Sequence, residues 1–247
     1  MKSLIRWSAT VGLLGSTLIG TWFAQMPKVL ALPEAEVVKV LQGVPVFTIT
    51  TEDGGPLIAN LDDQKVTQVF MSQKDANEFL SKLKETQPEI GNRVKVQPVS
   101  LGEIYRFALA NNTETESLRF AYVPMRSAVE SAKKLLSDNG QEYQGGVPLF
   151  ILRGGPDNSI LTIQQDNQEV IPFFFEKAPI QAIAERMKQD QPEIAETMQI
   201  EVVALENIIG SLHSNDDAML KQIQLVPSQE TIKFIQDAIK SQQSQGE

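Results

Sequence analysis

The chain has 247 residues, with 22 basic against 31 acidic side chains, one histidine and no cysteine. Without cysteine there are neither disulfides nor thiolate metal ligands, so packing alone must hold the fold. A net charge of −9 excludes the basic footprint that nucleic-acid binding requires.

Residues 1–31 read as a cleaved signal peptide. Lys2 and Arg6 precede an uncharged run from Trp7 to Gln25, and small residues suited to cleavage close it at Val29 and Ala31. Gly12, Gly15 and Gly20 interrupt the run, which leaves it short of a stable span of about twenty apolar residues. The mature chain is expected to start near Leu32-Pro33. Losing Lys2, Arg6 and Lys28 leaves 19 basic against 31 acidic residues, a net charge of −12, and both tryptophans, Trp7 and Trp22, leave as well.

Residues 32–42 form a short amphipathic N-terminal helix. The rest of the chain then repeats itself at a spacing of about 103 residues, as 43–142 and 143–240, with a polar, disordered tail over 241–247. Gly43-Val44-Pro45-Val46-Phe47 returns as Gly146-Val147-Pro148-Leu149-Phe150, and Gly54-Gly55-Pro56 as Gly154-Gly155-Pro156. Val66–Met71 matches Val170–Phe175. From Gln87 to Ile104 against Gln191 to Ile208, seven of eighteen positions are identical, including Gln-Pro-Glu-Ile at the start of each. Val123-Pro124 and Val226-Pro227 each precede a final helical pattern.

Short β-branched or aromatic runs bounded by turn residues predict strands in VPVFTIT, VTQVFM, VKVQPV and LRFAYV. Ala76, Phe79, Leu80 and Leu83 share one helical stripe over 74–86, as do Ile180, Ile183, Ala184 and Met187 in the second copy. Shorter helices are expected over 103–111 and 207–212, and closing helices over 126–136 and 229–240. The fold class is α/β with a mixed α+β arrangement. Each lobe has the order β-β-β-α-β-α-β-α, with a mixed sheet flanked by helices, and the lobes pair about a pseudo-twofold.

No catalytic, cofactor-binding or metal-binding set is assembled. His213, the only histidine, lies in the polar stretch SLHSNDD, read as a turn, and no triad or metal motif frames it. Ser211, Ser214, Asp216 and Asp217 lack the spacing of a calcium loop. The Gly-Gly-Pro segments lack the Lys-Ser/Thr ending of a phosphate loop and read as hairpin turns. Glu34 with Glu36, and Asp62 with Asp63, read as solvated surface.

Phe173-Phe174-Phe175, matched by Val69-Phe70-Met71, stands out. Successive strand residues point to opposite faces, so three in a row load both. Either helices cover both faces, or one face lines a groove. These six are the candidate peptide-binding residues, since a protein without catalytic groups acts by binding.

The exported, cysteine-free chain, the duplicated Val-Pro-Val/Leu-Phe openings and the paired Gln-Pro-Glu-Ile resemble the Tic twenty-two family over residues 33–240. That family is the soluble intermembrane-space component of the chloroplast import translocon, with cyanobacterial periplasmic homologues. The resemblance implies a non-catalytic, chaperone-like transport factor in the periplasm or at the thylakoid, active in outer-membrane biogenesis. The implied partners are precursor proteins, outer-membrane β-barrel proteins or their assembly machinery; nucleic acid is excluded and peripheral membrane contact stays open. A static envelope adaptor that recognises one folded partner is the alternative.

Overall fold

The computed structural model describes residues 31–62, 64–111, 118–165, 167–190 and 196–244. The predicted signal run, both tryptophans, the second Gln-Pro-Glu-Ile at Gln191–Ile194 and the last three residues lie outside the described residues.

Helix α1, Glu34–Gln42, turns Val37, Val38 and Leu41 inward, and Glu34 and Glu36 sit in its first turn, where the helix dipole favours negative charge. The first half follows with β1 (Pro45–Thr51), β2 (Ala59–Leu61), β3 (Gln64–Phe70), α2 (Gln73–Thr86), a one-turn helix α3 (Pro88–Gly91), β4 (Val94–Ser100), α4 (Leu101–Ala110), β5 (Leu118–Val123) and α5 (Arg126–Asp138). In the second half come β6 (Pro148–Gly154), β7 (Ser159–Ile160), β8 (Ile163–Gln165), β9 (Gln168–Phe174), α6 (Lys177–Asp190), β10 (Gln199–Ala204), α7 (Leu205–Ser214), a 3-10 turn at Ala218–Gln222, β11 (Ile223–Val226) and α8 (Gln229–Gln243).

Both sheets have one plan. The first runs β4-β1-β3-β5 and the second β10-β6-β9-β11, each with antiparallel inner pairs and a parallel last pair. Register agrees as well, for Phe47 stands opposite Phe70 as Phe150 stands opposite Phe174. The repeated sequence words have matching backbone roles. Leu101 N–H donates to Val44 C=O and Leu205 N–H to Val147 C=O, both at 2.8 Å. Met71 N–H reaches Val123 C=O at 3.0 Å, and Phe175 N–H reaches Val226 C=O at 3.1 Å. Gly-Val-Pro thus ties the start of each central strand to the next strand-helix corner, and Val-Pro ties the parallel edge strand to the end of its neighbour.

The closing helices cross over. Instead of covering its own sheet, α5 packs on β6, β10 and α6, burying Ala128 and Ala132 there. In return α8 lies on the first half, where Phe234 meets Phe47 edge-to-face at 5.2 Å beside Phe79 and Leu83. Glu230 of α8 also caps α2, accepting from Ser72 Oγ at 2.9 Å and Lys74 N–H at 2.8 Å. Each crossing follows a Val-Pro pair, where proline lacks the donor a strand would need and is pre-set for a helix start. The main core is accordingly shared, with Val46, Val69, Leu101 and Tyr105 joined to Leu149, Phe150, Ile180 and Leu205.

Several helix boundaries differ from expectation. The helix expected over 207–212 runs Leu205–Ser214, so His213 sits in its last turn rather than in a loop. Helix α1 starts at Glu34, with Pro33 as its N-cap, rather than at 32. Helix α8 extends three residues past 240.

Candidate functional site

The six strand residues singled out above are all buried, from 0% exposed at Val69 to 6% at Phe174, with Phe70, Met71, Phe173 and Phe175 between. Both faces of β9 are covered, so these side chains back the sheets and present nothing to solvent. Accessible apolar surface lies instead at the corner where β4 passes into α4 and at the matching corner of β10 and α7.

Each corner forms because a strand becomes a helix with no intervening loop. At the first, Ser100 accepts from Glu103 N–H at 3.0 Å while Glu103 accepts from Ser100 N–H at 3.2 Å, a reciprocal cap that fixes the turn. Gly102 lets α4 lie against α1, since a Cβ there would come within 2.9 Å of Val38 O. Strand and helix then form two walls of a V. The first-half cleft, about 290 Å³, is lined by Thr48, Thr50, Thr67, Pro98, Val99, Ile104, Phe107 and Phe120, with Gln97 and Glu103 at its rim. Phe107 is 42% exposed and meets Phe120 edge-to-face at 6.0 Å.

The second-half cleft, about 370 Å³, has Val202, Val203, Ile208 and Ser211 where the first has Pro98, Val99, Ile104 and Phe107. It gains Leu136 from α5, and Tyr143, Gln144 and Gly145 from the segment that joins α5 to β6. Sequence reading missed both clefts, although Ser100-x-x-Glu103 directly after a strand pattern was a signal that could have located the first.

Glu206 organises the centre. Its carboxylate accepts from Val147 N–H at 3.0 and 3.2 Å, and it lies near Tyr122 and Tyr143. Burial, then the Glu206 charge, pushes the Tyr122 hydroxyl up to about 12, and the same causes raise Tyr143. Tyr105 is raised by burial and by Glu34. All three tyrosines of the chain should therefore titrate above the ordinary 10.0. A phenol raised in the folded state favours the proton there, so the stability present below pH 10 should be lost as pH climbs from 10 towards 12. A phenolate absorbance titration checks this: midpoints should lie above 10 in the native protein and fall to about 10 in denaturant.

His213 Nδ1 lies 2.9 Å from Tyr105 Oη and joins α7 to α4 across the halves. Among the described residues no group of three His, Asp or Glu side chains is placed to hold a metal ion, and no helix is long and apolar enough to cross a membrane. A wider depression of about 710 Å³ beside α2 is lined by Lys74, Glu78, Lys82, Glu85 and other polar groups, without an apolar wall.

The sequence matches the Tic22-like family model over residues 8–237. The chain belongs to the Tic22-like family. Among solved structures, Anabaena Tic22, a protein of protein transport, is similar at 28% identity with a TM-score of 0.73, covering 83% of this chain and 97% of its own. Tic22 from Plasmodium falciparum shares the fold at 18% identity with a TM-score of 0.65, over 83% of this chain and 98% of its own. No curated protein matches. This Tic22-like chain is a component of protein transport and not an enzyme.

Proposed function

We propose that this Tic22-like chain is an exported, chaperone-like factor that holds apolar segments of envelope or outer-membrane precursor proteins. The observation that carries the reading is the pair of matching apolar clefts at the two strand-helix corners. Their positions follow the internal repeat, so one duplicated unit, 43–142 and 143–240, supplies two receptor sites. The signal pattern of residues 1–31 supports export to the periplasm or the thylakoid, and the acidic surface keeps the loaded protein soluble.

Weak binding follows from the size of the clefts. A fully buried Phe contributes roughly 1.5–3 kcal/mol, and about four such contacts against an association cost of at least about 4 kcal/mol leave affinity no tighter than about micromolar and closer to millimolar for typical contacts. That range suits a carrier that releases its client. Light scattering of an unrelated, chemically unfolded protein tests the reading: equimolar addition of this chain should suppress aggregation. Unchanged scattering, together with one tight folded partner, would favour the adaptor instead.

A further inference from the structure

The two clefts share their walls but differ in what lies over them and in what lies beneath. In the second half, Gln141–Gly146 runs neither helical nor as a strand from α5 to β6. Tyr143 and Gln144 line the cleft together with Val203 and Ile208. The Tyr143 ring packs on the main core while its hydroxyl donates to Gly146 C=O, so the aromatic body is covered and its polar end is satisfied. That is how an extended peptide with one aromatic side chain would sit in such a cleft. The first-half cleft, by contrast, is lined only by its strands, α4 and the turn at Gly54–Pro56 among the described residues.

Its floor differs in the same sense. Thr50 and Thr67 stand where the second half has Arg153 and Ile171. Both threonines are buried, 4% and 2% exposed, both line the cleft, and neither hydroxyl has a hydrogen-bond partner among the described residues. Buried polar groups are ordinarily satisfied, and one left without a partner is destabilising. Phe107, half out of the surface, replaces Ser211 and adds an aromatic edge.

We infer that the first-half cleft receives an extended polypeptide segment bearing an aromatic side chain, seated as Tyr143 is seated in the second, with the Thr50 and Thr67 hydroxyls donating to its backbone carbonyls. In the second cleft the protein's own strap supplies an extra wall that the first cleft lacks. This rests on the holding role proposed above and adds to it a site, a client conformation and a side-chain class.

The test uses the full chain and a fluorescein-labelled decapeptide that alternates aromatic and polar residues, with anisotropy giving affinity and stoichiometry. The peptide should bind, and its all-alanine counterpart should bind at least about tenfold more weakly. Phe107→Ser should weaken binding to a similar degree. The double variant Thr50→Val with Thr67→Val separates binding from folding: it should bind about fivefold or more weakly while its thermal midpoint holds or rises, because the isosteric change removes unsatisfied hydroxyls. Unchanged binding by the double valine variant, or equal binding of the alanine peptide, overturns the inference. If the peptide fails to bind while aggregation is still suppressed, this inference falls and the holding role stands; if both fail, both fall.

Discussion

Phe47→Ala is expected to cost about 3–5 kcal/mol, the range for emptying a fully buried aromatic site. Phe47 is 0% exposed and lies between α2 and the visiting helix α8, with Phe234 at 5.2 Å. Truncating it opens a cavity that neither helix can fill without moving. The half-buried Phe234 should cost less when truncated alone, and a double-mutant cycle between the two should show a coupling of about 0.5–1.5 kcal/mol. Denaturant unfolding measures both. A coupling near zero would mean that α8 is not seated on the first half.

The mirror contact gives the larger effect. Ala132 of α5 is 0% exposed against the second half, so Ala132→Asp would place an unpaired carboxylate in apolar surroundings. Such a change should cost at least about 4 kcal/mol, a large share of a typical stability of about 5–15 kcal/mol. Hydrogen exchange locates the damage. Protection should be lost first in β6 and β10, although the substitution lies in a first-half helix. Loss confined to β1, β3 and β4 would show that α5 serves its own half.

Much of this architecture is legible in local sequence, because turn residues bound the strands and the stripe of Ala76, Phe79, Leu80 and Leu83 needs only a helical period. What those elements pack against is not local. Val123-Pro124 and Val226-Pro227 announce that a strand ends and a helix follows, yet neither pair says which sheet the helix will cover. That depends on the partner half, more than a hundred residues away. For the same reason Phe173-Phe174-Phe175 could be read as loading both faces of a strand but not as covered on both, since the core that covers them draws on residues of both halves.

The clefts were hidden by composition. Val99 and Ile104 look like ordinary core residues, and only the loopless corner fixed by Ser100 and Glu103 makes their gap accessible. Helix α7 begins two residues before the expected start because Val202, Val203 and Ala204 run from strand into helix without a side-chain cap; Ala204 is the N-cap and its side chain offers no hydrogen-bond acceptor. Extending α7 moves His213 from a predicted turn to a helix end, where Tyr105 engages it across the halves. The charged surface was the easiest feature to read, and it says least about binding.

Site-specific photo-crosslinking in living cells tests the central claim most directly. A photoreactive residue would replace Phe107 in the first-half cleft and, as a control, Ile239, which is 50% exposed on α8 away from either cleft. Position 107 should yield adducts with several precursor proteins and position 239 should yield none. Equal adducts at both positions, or a single folded partner captured at 239 with nothing at 107, would contradict a client-holding role for the cleft.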